Sequence, residues 1–177
     1  MNDIQVIIWL FPILFIFHDF EEIIFIQPWL SKNRYYLSVR FPTLSKKLLP
    51  HFDNITTSSF ALGVAEEFIL ISIITVVSYI MNSHRLWAGL FIAFTLHLVI
   101  HCFQALIIRR YVPAIATSII CLPICIYIIK YIVQLFTLDT VVIYSILGFI
   151  IMVINLGIVH RFMDVFSRWL TKYENKG

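Results

Sequence analysis

Five stretches of the chain are apolar for long enough to cross a bilayer, and they set its organisation. They cover residues 4–26, 55–81, 86–108, 112–135 and 140–159. At about 1.5 Å of rise per residue, a helix of roughly 20 residues spans a hydrocarbon core of about 30 Å. Gln27-Pro28 is the expected stop of the first helix, because proline lacks the N–H that a helix interior needs. Residues 31–54 form a polar, basic connection with Pro42 and Pro50 as breakers, and residues 35–49 within it suit a short amphipathic segment on the membrane surface. Asn54 and Thr56 are candidate caps for the second helix, and Pro123 marks an expected kink in the fourth. The fifth is expected to continue as helix to Trp169. The first stretch has no basic flank before it and no small-residue cleavage site after it, so it reads as a retained transmembrane helix. The expected fold is all-α: a polytopic transmembrane bundle of five spans forming a single domain over residues 1–177.

Composition agrees. Hydrophobic residues make up 60% and charged residues 13% of the chain, with a mean hydropathy of +0.92. A soluble domain carries about 25% charged residues, so this chain has too little polar surface to face water. Cys102, Cys121 and Cys125 all lie in apolar runs without the close doublets of a zinc motif, and read as small buried hydrophobes. There is no internal repeat, Gly-rich phosphate loop or nucleic-acid motif.

The net charge of +3 matters less than its distribution. Eleven of the thirteen Lys and Arg residues fall in the connection after the first span, the connection after the third and the tail after the fifth. Only Arg85 and Lys130 fall on the other side. Basic residues stay on the cytoplasmic side, so the N-terminus is expected outside and the C-terminus in the cytoplasm. Trp9, Trp29, Trp87 and Trp169 fall mostly near span ends, as interfacial anchors do. Topology and anionic lipid account for the basic charge, and no nucleic-acid partner is implied.

The unusual feature is polar chemistry inside the spans. The first contains His18-Asp19-Phe20-Glu21-Glu22, the second Glu66-Glu67, and the third His97 and His101. Half of the ten acidic residues therefore sit in apolar helices. A central acidic residue costs about 2.5–3.5 kcal/mol on insertion scales, so five left charged and unpaired would approach roughly 15 kcal/mol. Protonation, water, opposing charge or a bound cation must offset this. At about 100° per residue, Glu21 lies about 60° to one side of His18 and Glu22 about 40° to the other, so all three share one face. Asp19 lies about 60° beyond Glu22. His97 and His101, at i and i+4, stack two imidazoles on one face, the spacing of helical metal sites. Along their helices the three sets fall at overlapping depth.

His18-x-x-Glu21-Glu22 resembles the signature of the HXXEE family, small bacterial membrane proteins named for that motif, and the later glutamate and histidine pairs are consistent with it. The resemblance implies a membrane location and no established reaction. Similarity to intramembrane CAAX-type proteases is only loose: no Arg follows Glu66-Glu67 at the expected place, and both histidines belong to one short motif.

The residue chemistry points to a divalent metal, zinc first and iron second. His18, Glu21, His97 and His101 are the expected ligands. Glu22, Glu66 and Glu67 are the expected catalytic carboxylates, one acting as general base. The leading functional expectation is a metal-dependent membrane hydrolase acting on a lipid or peptide. The alternatives are an ion- or proton-coupled transporter, or a non-catalytic accessory or immunity protein with a structural metal. Asn155 and His160 are candidates to line the same cavity, although the neighbouring Arg161 points His160 to the membrane interface, and Gln104, one turn below His101, is a candidate to support the ligands from outside.

Overall fold

The computed structural model describes residues 3–53 and 55–174, so Asn54 and Lys176 lie outside the described residues. It is helical throughout: α1 (Asp3–Ile7), α2 (Leu10–Arg40), α3 (Pro42–Asp53), α4 (Thr57–Ile80), α5 (Arg85–Ile108), α6 (Ile115–Leu135) and α7 (Leu138–Glu174). Four of these, α4 to α7, are long and apolar enough to cross a membrane. They make this a membrane protein. Their outward side chains are apolar too: Ile143, Ile146, Ile150, Val153 and Ile154 of α7 are all exposed, a surface suited to lipid rather than water. α2 is also long enough, but Asp19, Glu21 and Glu22 interrupt its apolar run.

The first expected helix differs from the observed one at both ends. It divides into α1 and α2 near Ile8 and Trp9, and it does not stop at Pro28 but continues twelve residues to Arg40. An internal proline costs about 3 kcal/mol in a helix. Tertiary contacts of the extension offset that cost. The Trp29 indole N–H donates to the Tyr111 carbonyl, Tyr36 Oη donates to the Ile108 carbonyl at 2.8 Å, and Arg110 donates to Asn33 Oδ1 at 3.0 Å. The Arg110 guanidinium also lies 3.7 Å from the centre of the Tyr36 ring. The extension is thereby fastened to the connection between α5 and α6.

The chain breaks at Phe41, and Pro42 opens α3, where its missing N–H leaves nothing unpaired. Thr56 caps α4 by accepting from the Ser59 backbone N–H at 3.1 Å. Arg109, at φ 56°, closes α5 in the left-handed region, its N–H bonded to the Ala105 carbonyl. Pro123 lies inside α6, and α7 runs beyond the expected Trp169.

The five long helices form a ring in the order α2, α4, α7, α5, α6 and back to α2. Glycine makes the α5–α7 seam possible. A Cβ on Gly89 would lie 1.9 Å from the Tyr144 carbonyl oxygen, and one on Gly148 2.4 Å from the Gly89 backbone. Aromatic side chains bridge α2 and α5 across the inside of the ring: Phe11 packs on Trp87, Phe91 and Phe94. This sets the histidines of α5 level with His18.

Candidate metal centre

His18, Glu22, His97 and His101 each offer one ligand atom, and these atoms all lie within 4.8 Å of one another. His101 Nε2 is 3.0 Å from His97 Nε2 and 2.9 Å from Glu22 Oε1. The His18 ring centre lies 5.4 Å from that of His97 and 5.1 Å from that of His101. For comparison, tetrahedral ligands at about 2.0–2.1 Å from a zinc ion stand roughly 3.3 Å apart. The set therefore converges on a volume of the right size for one ion. Three imidazoles and a carboxylate suit zinc, and equally iron.

A hydrogen-bond chain behind the cluster fixes His18. The Glu21 carboxylate accepts four bonds. Oε1 takes Tyr111 Oη at 2.6 Å and the Ala116 N–H at 3.3 Å, and Oε2 takes the Thr117 N–H at 2.8 Å and Thr117 Oγ1 at 2.7 Å. An ionised carboxylate only accepts, so the Thr117 hydroxyl gives its proton to Glu21. The same hydroxyl lies 3.2 Å from His18 Nδ1 and must accept there, which puts the His18 proton on Nδ1. The buried Nε2 is left as a lone pair with no hydrogen-bond partner among the described residues. A ligand imidazole oriented through its other nitrogen by a hydrogen-bonded carboxylate is the usual outer shell of a metal site. Glu21 also sits at the N-terminus of α6, where the helix dipole and unpaired N–H groups favour an anion.

The two adjacent glutamates thus occupy different places from those expected of them. Glu21, an expected ligand, is engaged by α6. Glu22, an expected catalytic carboxylate, supplies the oxygen of the four-atom group. Both lie within about 60° of His18 on the helix, and the neighbours of α2 decide between them: α6 takes the first and α5 the second.

A cavity of about 580 Å³ lies along the front of the cluster. Glu22, His97 and His101 line it, whereas His18 stands behind, fully buried. Glu67 and Asp19 line it as well, close enough to each other and to Glu22 for direct electrostatic interaction. Glu66 points elsewhere: it accepts from Asn155 Nδ2 at 3.2 Å, tying α4 to α7. Gln104, Asn155 and His160 also line the cavity. Cys121 and Cys125 are free and buried, apart from the cavity.

Thr117 and Tyr111 carry no sequence signal for this role. A threonine in the first turn of an apolar helix reads as a helix-start residue, and Tyr111 as an interfacial aromatic. Burial and the bond to anionic Glu21 raise the Tyr111 phenol well above its ordinary value, which keeps it a proton donor to the carboxylate.

Comparison with curated proteins and with solved structures gives no match. Residues 9–128, well over half of the chain and inclusive of His18, Glu66, Glu67, His97, His101 and Thr117, match the family described as protein of unknown function with HXXEE motif, and the chain belongs to that family.

Proposed function

We propose that this protein is a metal-dependent hydrolase of the membrane, with zinc as the first candidate ion and iron as the second, acting on a lipid or peptide substrate. The observation that carries the reading is the relation of the cluster to the cavity. Four ligand atoms gather within 4.8 Å, and three of the four residues open onto about 580 Å³ of cavity. Structural metal sites are closed by protein, whereas catalytic sites keep a position open to substrate.

In this reading His18 would hold the ion through the Nε2 that Thr117 and Glu21 leave unprotonated, and His97, His101 and Glu22 would hold it from the cavity side, where water can enter as a further ligand when the site expands to five-coordinate. When bound, the ion would supply Lewis acidity toward a carbonyl and lower the pKa of water to about 7. Glu67 takes a proton from the attacking water. The water oxygen bonds to the carbonyl carbon, the bond to the leaving group breaks, and Glu67 returns the proton to the leaving atom. Glu66 positions α4 through Asn155.

The same reading makes α2 a fifth span in a single domain. Two of the three carboxylates that interrupt its apolar run are matched, Glu21 by its four donors and Glu22 by the histidines and the ion, and Asp19 lines the cavity. In the same reading α3 and the C-terminus lie on the cytoplasmic side and the N-terminus outside, in a bacterial cytoplasmic membrane, which the excess of Lys and Arg at those ends supports.

Metal analysis of the protein purified without chelators tests this. The expected result is about one divalent ion per chain, falling to background in the His97→Ala, His101→Ala double variant. Folded, metal-free protein that still turns over a lipid ester would sink the reading.

A further inference from the structure

The shape and chemistry of the cavity narrow the substrate class. Its carboxylates, Asn155 and the α5 histidines form a belt across it, with largely apolar wall on both sides, to which Ser45, Gln104 and His160 add polar groups on the α3 side. On α2, Phe11 and Phe15 precede Asp19 and Glu22, and Ile26 and Leu30 follow. On α5, Leu90 and Phe94 precede His97 and His101, and Ile107 and Ile108 follow. The antiparallel α4 repeats the pattern, with Phe60 and Val64 before Glu67 and Leu70 and Ile74 after it. On α7, Ile151 and Val159 flank Asn155.

These positions coincide in depth across the bundle. Trp9 packs on Tyr79 and Gln27 bonds to the Ile55 carbonyl, which aligns α2 and α4 head to tail. Phe11 lies against Trp87 and His18 against His101, which aligns α2 with α5 in parallel. From the belt, the largely apolar lining on α2 extends eight residues to Phe11 on one side and fifteen to Leu37 on the other, or about 12 Å and about 22 Å.

Charge excludes two occupants. No Lys or Arg lines the cavity among the described residues, while Asp19, Glu22 and Glu67 do. A divalent ion would offset two of these three charges, so a fatty acid or a phosphate headgroup would still meet net negative charge and find no basic side chain to pair with. A peptide would bring N–H and C=O groups every few ångströms into apolar wall, at a cost of a few kcal/mol for each one unpaired.

Resting on the hydrolase reading above, we infer that the substrate is a neutral lipid ester whose carbonyl lies between two long apolar arms, one arm on each side of the belt. Hydrolysis delivers the water oxygen to the acyl carbon, breaks the acyl–oxygen bond and leaves the proton on the departing alcohol. The products are a fatty acid and a long-chain alcohol.

Photocrosslinking of the full chain in lipid nanodiscs tests the assignment independently of turnover. Two probes are long-chain dialkyl esters with a diazirine in either the acyl arm or the alkyl arm. The comparators are a diazirine fatty acid of equal length and a diazirine-bearing apolar peptide. The expected result is labelling by both esters at opposite ends, one near Phe11 and Leu90 and the other near Leu30 and Ile107. This labelling is at least about tenfold stronger than that of either comparator and is displaced by unlabelled ester. Equal or stronger labelling by the fatty acid or the peptide, labelling at one end only, or no ester labelling would overturn it. Labelling is read in zinc-loaded and in chelated protein, with bound zinc measured on the same samples. Ester labelling at both ends in protein that binds no zinc retains the lipid site and sinks the metal centre. Bound zinc without ester labelling retains the metal and sinks the substrate.

Discussion

Glu21 and Glu22 are neighbours on one helix, and their surroundings give them opposite characters. On the α6 side, Glu21 is saturated: four donors point at two oxygens, and little is left for chemistry. On the cavity side, Glu22 meets histidines whose nitrogens compete for the same space, with His101 Nε2 placed 2.9 Å from the carboxylate and 3.0 Å from His97. One wall is a finished hydrogen-bond network. The other is a set of lone pairs and charge that a cation would complete. A buried carboxylate is inexpensive when donors enclose it and reactive when they do not.

Exchanging each glutamate for glutamine separates these roles most strongly. Glu22→Gln keeps the shape and removes the charge. Metal affinity is expected to fall by more than the about 10–100-fold typical of outer-shell changes, with thermal stability in detergent held or slightly raised. Glu21→Gln should do the reverse. One amide group would point its N–H bonds at the donors of Tyr111 or Thr117, costing about 1–3 kcal/mol for each group left unpaired, while the ligand count stays the same. Isothermal titration with zinc and thermal unfolding, run on both variants, read the two effects. If Glu21→Gln abolishes metal binding as fully as Glu22→Gln, the division between the walls is wrong.

Thr117 joins the walls, and its replacement has the next largest effect. Thr117→Val preserves volume but deletes the hydroxyl that accepts from His18 and donates to Glu21. His18 is then free to take the other tautomer, and zinc affinity is expected to drop about 10–100-fold. Thr117→Ser should restore most of it. An effect on unfolding alone, with affinity unchanged in both variants, would mean that Thr117 serves only the packing of α6.

Much of the membrane-embedded framework was legible in the sequence. α4 and α5 fall within two residues of their expected ends, because long apolar runs between polar turns leave few alternatives. The meeting of His18 with His97 and His101 followed from helical spacing and shared depth. What escaped depends on neighbours rather than on local pattern. Pro28 reads as a stop because its cost is local, while the contacts that offset it come from Ile108, Arg110 and Tyr111, more than seventy residues away. Helical phase puts Glu21 and Glu22 almost equally close to His18, so which one turns to α5 is decided by the placement of α6. The cavity is a property of five elements together, since α3 adds Leu44, Leu49 and Phe52 to the walls formed by α2, α4, α5 and α7.

Tyr111→Phe gives the smallest effect and the finest test of the α6 wall. It removes one of four donors to Glu21 and leaves the other three in place. Tyr111 is nearly half exposed, so water can replace part of what is lost, and the expected cost is about 1 kcal/mol. The pH dependence carries the sharper signature. The folded phenol titrates above its ordinary value of 10.0, so below that value its stabilisation is complete. As pH rises past 10.0, the unfolded chain loses the proton first, and the stabilisation disappears as pH moves toward the folded value. Wild-type stability should therefore fall with alkaline pH more steeply than that of Tyr111→Phe, with bound metal equal in the two proteins at neutral pH. Parallel alkaline profiles would mean that Tyr111 does not hold its proton against Glu21, and that the α6 wall is less closed than its counterpart across His18 is open.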